Sequence, residues 1–346
     1  MTSTSETPGT HGSPRTSESA ATRHRASAIS AVGLSKSYGD KLVLDGVDLD
    51  IPEGTVFALL GPNGAGKTTT VQILSTLIAA DAGEARVAGH DLVREADAVR
   101  RSIGVTGQFA AVDNLLTARE NLILMADLQR LGRIEGRRRA DDLLARFDLT
   151  DVANKTVVTF SGGMRRKLDL AMTLVGNPRV IFLDEPTTGL DPRSRRVMWE
   201  IIRGLVADHG VTILLTTQYL DEADQLADRI AVLDHGRLIA EGTADELKRR
   251  IPGAHVRLRF ADQHRLDAAA DLFRDTTRDE EALTLRIPGD AGIPTLRAIL
   301  DALDDASIPA EELTVHTPDL DDVFLTLTGR PQTADRVPSP RKEALR

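Results

Sequence analysis

Gly61-Pro62-Asn63-Gly64-Ala65-Gly66-Lys67-Thr68 is the stretch on which the fold turns. It has the spacing G-x-x-x-x-G-K-[ST], comes directly after the apolar run 56–60, and leads into a helix-like segment over 69–77. The glycines let the backbone wrap so that successive N–H groups converge on phosphate oxygens. Lys67 adds a mobile cation for the β- and γ-phosphates, and the Thr68 hydroxyl is placed to ligate Mg²⁺. The helix starting there presents its positive end to the same anion. A strand, a glycine loop and a helix in that order predict nucleotide binding in an α/β domain.

The pattern around this loop agrees. From residue 28 to about 241, short apolar runs alternate with helical-period segments, as in a largely parallel sheet. Runs 56–60, 180–183 and 211–215 are continuously apolar, as expected of strands covered on both faces at the sheet centre. Segments 115–131 and 164–175 have the three- and four-residue apolar spacing of helices packed on it. Beyond residue 241 the texture shifts: strands are expected near 256–260, 283–287 and 313–316, with helices near 264–274, 293–305 and 319–328. That predicts a second, smaller α/β unit. Residues 1–27, rich in Ser, Thr, Pro, Gly and Ala, read as a disordered leader, and 331–346 as a flexible tail.

Composition narrows the function classes. The 346 residues carry 43 Lys+Arg against 52 Asp+Glu, a net charge of −9, which argues against a general affinity for nucleic acid. With no cysteine there are no disulfides, thiolate metal sites or Cys nucleophiles, which fits the cytosol. No stretch approaches the about 18 consecutive apolar residues of a membrane span, and no signal-peptide core opens the sequence. Any membrane component is expected in another chain.

Two further segments bear on phosphate chemistry. The run 180–183 ends in Asp184-Glu185, and Pro186 stops the strand, so two acids sit at the carboxyl end of a buried strand, where open α/β sheets place ligands. Asp184 suits Mg²⁺ through a water, and Glu185 suits polarising a water in line with the γ-phosphate. Phe160-Ser161-Gly162-Gly163-Met164 forms a second anion-seeking helix start, with Ser161 as N-cap.

The ordered set of phosphate loop, Gln108, Ser161-Gly162-Gly163, Asp184-Glu185 and Leu190-Asp191 resembles the ATP-binding cassette (ABC) ATPases of transporters. The likeness runs from about 28 to 245, and within the family it is similar to ATP-binding subunits of bacterial daunorubicin/doxorubicin-type exporters. The resemblance implies a P-loop cassette over 28–245 with a parallel core, an antiparallel β subdomain and a helical subdomain at about 108–175, followed by a small α/β domain over 250–330. It implies that Tyr38 stacks on adenine and that Gly61, Pro62, Asn63, Gly64, Ala65, Gly66, Lys67, Thr68 and Thr69 bind ATP. Gln108 would sense Mg²⁺ and face a membrane partner, with Thr68 and Asp184 completing the metal site. Glu185 would be the catalytic carboxylate, assisted by Lys67 and Gln218. Ser161, Gly162 and Gly163 would close on ATP held by the opposite subunit of a homodimer, and Asp191 would cross the interface. The implied activity is Mg-dependent ATP hydrolysis at the cytoplasmic face of the membrane, coupled to drug export through an integral-membrane permease.

Two departures stand out. Gln218 occupies the place where most cassettes have a switch histidine, and the signature opens with Phe160 where Leu is usual. A neutral amide donates a hydrogen bond but never becomes cationic, so hydrolysis is expected to be slower or differently gated. Three rival readings stay open: a soluble cassette ATPase of translation or repair, a binding-only regulator, and an exporter of lipid or polysaccharide. Translation types usually hold two cassettes and repair types long coiled coils, whereas this chain has one cassette and no heptad run between 67 and 161. The intact Lys67, Asp184 and Glu185 weigh against a regulator. The basic cluster 137–139 is read as a solvated helix face, and 165–167 either as an offset to phosphate charge near the signature or, at least as readily, as an exposed helix face.

Overall fold

The computed structural model describes residues 26–329 except 252, 290 and 291. The expected tail and all but the last two residues of the expected leader lie outside the described residues. The first element, β1 (Ser27–Tyr38), pairs with β2 (Lys41–Pro52) in a long antiparallel hairpin turned at Gly39-Asp40. Next come β3 (Val56–Leu60), helix α1 (Lys67–Leu74), β4 (Ala82–Val87), β5 (His90–Asp91), α2 (Ala96–Ser102) and β6 (Ile103–Thr106). Three helices follow: α3 (Ala118–Leu128), α4 (Arg133–Arg146) and α5 (Gly162–Thr173). The chain then returns through β7 (Val180–Asp184), α6 (Pro192–His209), β8 (Thr212–Thr217), α7 (Leu220–Leu226), β9 (Arg229–Asp234), β10 (Arg237–Gly242) and α8 (Ala244–Arg249).

Two sheets result. One is antiparallel, in the order β2-β1-β4-β5; the other runs β10-β9-β3-β8-β7-β6, parallel except for the β9–β10 hairpin. The three continuously apolar runs are β3, β7 and β8, adjacent at the middle of the larger sheet and fully buried. Alternation divides their side chains between two cores. Val56, Ala58, Leu60, Ile181, Leu183, Ile213 and Leu215 face the helical layer. Phe57, Leu59, Val180, Phe182 and Leu214 face α1 and the antiparallel sheet, with Ile29, Leu34, Leu44 and Val87. Each large apolar side chain so buried contributes roughly 1.5–3 kcal/mol before entropy is charged against it. Both sides of β3 and β7 are therefore clamped, which fixes the loops at their carboxyl ends.

Helix boundaries follow local chemistry. Thr117 and Glu120 form a reciprocal capping box on α3, and Ser161 caps α5 by accepting the Met164 N–H. Asp191 caps α6, whose first residue is Pro192 and whose last turn is closed by Gly210 in the left-handed region.

The last part holds β11 (His255–Arg259), α9 (Gln263–Leu272), β12 (Thr277–Asp279), β13 (Thr284–Pro288), α10 (Ile293–Asp305), β14 (Glu312–His316) and α11 (Leu320–Thr328). Its sheet, β12-β13-β11-β14, is antiparallel throughout and has its own core of Val256, Leu258, Phe260, Leu266, Leu285, Ile287, Ile299 and Leu303. The closing helix belongs elsewhere. Leu320, Val323 and Phe324 of α11 are buried in the cassette core with Leu220, Ala223 and Leu226 of α7 and Leu247 of α8, while Leu327 stays largely exposed. The unit expected over 250–330 thus ends in a helix that packs back onto the ATPase.

Candidate nucleotide site

The loop between β3 and α1 is held so tightly that only glycine fits at two positions. A β-carbon on Gly61 would sit 2.2 Å from the Leu233 carbonyl oxygen, and one on Gly66, at φ +111°, would sit 2.5 Å from Leu44 Cδ2. Gly61 N donates to Thr217 O (3.3 Å) and Gly236 N to Ala65 O (3.0 Å), anchoring the loop to the ends of β8 and β9. Lys67 is only 4% exposed. Its ammonium donates to Gly61 O (2.8 Å) and Pro62 O (3.1 Å) and lies 3.7 Å from Glu185 Oε1. Burial pulls the Lys67 pKa below its ordinary value, and Glu185 and Asp184 oppose that pull. The cation is thus preorganised at the mouth of the loop.

At the end of β7, Asp184 Oδ1 accepts Thr216 Oγ1 at 2.5 Å and Thr68 Oγ1 at 3.2 Å, so the loop threonine and the strand carboxylate share one polar spot. Glu185 then takes φ +49°, a left-handed conformation that costs a non-glycine residue about 1 kcal/mol or more. The strain is held by Glu185 N donating to Thr216 O and Oγ1, both at 3.1 Å. The turn aims the carboxylate back at Lys67, and Oε2 accepts the Thr188 hydroxyl at 3.2 Å. One cleft is lined by Lys41, Val43, Asn63, Gly64, Gly66, Lys67, Thr68, Thr69, Gln108 and Glu185.

Not every residue named from the sequence lines this cleft. Tyr38, half exposed, pairs in register with Lys41, which places the aromatic at the rim, with Lys36 Nζ 5.7 Å from its ring centroid. Gln218 follows β8 directly and is half-buried. Ser161 and Gly162 are exposed at the start of α5, away from the cleft lining. They lie instead beside the start of α6: a β-carbon on Gly163 would meet Ser194 Oγ at 2.8 Å, and one on Gly162 would meet Leu190 Cδ2 at 3.9 Å. Asp191 there accepts Ser194 Oγ (2.6 Å) and the Arg193 and Ser194 N–H groups (3.0 Å each), which hold its carboxyl below the usual range. The signature and the Asp191 loop form one surface, and the phosphate loop forms another.

Sequence reasoning missed three buried charges, Arg166, Asp169 and Glu222. Arg166, read with its neighbours as a phosphate offset or an exposed face, is 7% exposed and donates to backbone carbonyls around Glu185 and Gln108. The available signal was its opposite-charge partner three residues on, Asp169, set among Leu168, Leu170 and Ala171. Glu222 on α7 is fully buried; its Oε1 accepts Thr187 Oγ1 (2.7 Å) and Trp199 Nε1 (3.1 Å), and its Oε2 has no partner. Burial raises its pKa against the pull of the neighbouring Thr217, Thr187 and Trp199 donors and of Arg195. A raised carboxyl pKa means that stability is fully present below the unfolded value, about 4.3, and is lost as pH rises through the folded value. Glu222→Gln lacks this titration. Its melting temperature relative to the parent should therefore rise between acid and neutral pH, and a difference that is flat with pH would contradict the assignment.

Comparison with known proteins places this geometry. Residues 44–188 match the family model described as ABC transporter. The daunorubicin resistance ATP-binding protein DrrA3 of Streptomyces coeruleorubidus is 53% identical over 304 residues, covering 87% of this chain and 96% of that protein. The daunorubicin/doxorubicin resistance protein DrrA of Streptomyces peucetius is 49% identical, covering 88% and 93%. A Nod factor export ATP-binding protein I from Rhizobium sp. (strain N33) is 36% identical, covering 88% and 97%. Among solved structures, an ATP-binding subunit of an ABC transporter matches with TM-score 0.58 at 30% identity, covering 64% of this chain and 92% of that one. The cassette MJ0796, solved as a post-hydrolysis dimer with ADP and Pi, matches with TM-score 0.57 at 28% identity, covering 62% and 98%. Likeness sustained across almost the whole length of transporter subunits settles the family: this chain belongs to the ATP-binding subunits of ABC transporters, ATPases whose hydrolysis is coupled to transport.

Proposed function

We propose that the chain binds Mg-ATP in the cleft at the phosphate loop, pairs head to tail with a second copy, and energises export of a hydrophobic drug through a separate membrane permease. Gly61 to Thr69 cradle the phosphates, Lys67 meets the β- and γ-oxygens, and Tyr38 covers adenine at the rim. The all-oxygen donor pair of the Thr68 hydroxyl and Asp184 carboxylate, 3.2 Å apart, fits Mg²⁺, with Gln108 beside it on the cleft wall. The ion, when bound, would offset charge on the phosphates. Glu185 accepts the proton of the attacking water, and Gln218 donates a hydrogen bond to the γ-phosphate.

The observation that carries the pairing is the separation of two phosphate-seeking surfaces. Ser161, with Gly162 and Gly163, and Asp191 sit together on an exposed face outside the cleft of their own chain, so each site is completed by the signature of a second copy. The dimeric structure of the cassette MJ0796 with ADP and Pi supports pairing of two copies. Among the described residues no helix is long and apolar enough to cross a membrane, and the chain works at the cytoplasmic face through its permease.

For cargo, identity of 53% and 49% to daunorubicin resistance proteins against 36% to a Nod factor exporter favours a daunorubicin-type drug over a Nod factor. Inside-out vesicles holding the chain and its permease should accumulate doxorubicin when given Mg-ATP. ATP hydrolysis without drug accumulation, in vesicles that do move a lipid-linked saccharide, would overturn the cargo assignment.

A further inference from the structure

Arg166 is the fifth residue of α5, one turn beyond the signature, and its guanidinium is spread over two other segments, at residue 107 and at residues 184–186. Nε donates to Pro186 O (2.8 Å), Nη1 to Gly107 O (2.7 Å), and Nη2 to both Asp184 O and Glu185 O (3.3 Å each). Nη1 also faces Asp169 Oδ2 at 3.3 Å, and the other oxygen of Asp169 accepts Ala111 N at 2.9 Å. The Arg166–Asp169 pair therefore grips the Gln108 loop at Gly107 and Ala111 while binding the peptides on both sides of Glu185. Burying both charges carries a desolvation cost that only multiple good partners offset. A planar fork of five donors suits diverging carbonyls in a way an ammonium does not.

We propose that Arg166, oriented by Asp169, is a positioning residue that links the start of the signature helix to the Gln108 loop and to the Glu185 turn. It rests on the roles of Glu185 and Gln108 in the proposed function. When a second copy docks its ATP against Ser161–Gly163, displacement of α5 is transmitted through the guanidinium to the left-handed peptide that aims the Glu185 carboxylate. ATP affinity is set elsewhere, because the phosphate loop is anchored through Gly61 N to Thr217 O and Gly236 N to Ala65 O, neither of which involves a partner of Arg166. Arg166 thus acts on turnover and leaves binding alone.

The test uses the full chain as Arg166→Lys, Asp169→Asn and the double variant, with ATP affinity, kcat and melting temperature measured for each. Arg166→Lys should lower kcat at least about tenfold while the ATP Kd stays within about twofold of the parent. Asp169→Asn keeps an acceptor for Ala111 N but loses the charge, and should lower kcat by about threefold; the double variant should be no worse than Arg166→Lys, since the two act as one unit. An unchanged kcat, or kcat and Kd worsening together in step with melting temperature, would reduce the pair to a structural clip and overturn the proposal. If Arg166→Lys fails to fold, a folded Asp169→Asn with parental kcat overturns it equally. Glu185→Gln run in parallel separates the two readings: normal hydrolysis there sinks the site assignment, whereas a silent Glu185→Gln beside a fully active Arg166→Lys sinks only this proposal.

Discussion

Lys67→Ala should bind ATP roughly 100-fold more weakly than the parent, a loss of about 3 kcal/mol from removing one charge-assisted donor shared by two phosphate groups. The magnitude follows from where the ammonium sits. It is almost completely buried, held by Gly61 O and Pro62 O, and it is the cation set against Glu185 and Asp184 at the cleft floor. Alanine leaves those two carboxylates facing the incoming triphosphate with no such cation between them, so repulsion adds to the lost attraction. Equilibrium titration with a fluorescent ATP analogue measures the effect directly. An affinity within twofold of the parent would remove the phosphate-loop assignment.

Glu185→Gln acts on the opposite side of the same ion pair, and its effect should be larger still on rate. Glutamine keeps the size of the side chain and an oxygen for the Thr188 hydroxyl, so the turn at φ +49° is preserved. It cannot take a proton from water, and loss of a positioned general base typically lowers turnover by about 10²–10⁴-fold. Binding should be retained or tightened, because a negative charge 3.7 Å from Lys67 is removed from the neighbourhood of the γ-phosphate. Single-turnover hydrolysis at the parental rate would show that another group polarises the water.

The parts of the fold that could be read in the sequence are those whose causes are local. The phosphate loop is legible because Gly61 and Gly66 answer steric demands a few residues wide, and β3, β7 and β8 because strands buried on both faces carry runs of successive apolar residues such as 56–60, 180–183 and 213–215. Asp184 and Glu185 are legible because Pro186 ends their strand. What escaped is what depends on distant partners. The ligands of Arg166 are backbone carbonyls 18 to 59 residues away, which leave no mark on side-chain identity. The helix near 319–328 is legible, yet nothing in its apolar residues says which core will cover them, and here it is the cassette. Strand β12, Thr277–Asp279, is exposed at all three positions and so carries no hydrophobic alternation to detect. The roles of Tyr38 and Gln218 were read by likeness, and neither side chain lines the cleft of its own chain.

The proposed cycle depends on two copies of the chain closing around shared nucleotide, and light scattering of the Glu185→Gln chain tests that closure most directly. Saturating Mg-ATP should double the measured mass, and replacing ATP by ADP should return it to that of one chain. A single-chain mass with Mg-ATP bound at every site, alone and in the presence of the permease, would contradict the composite site and with it the proposed coupling of ATP to export.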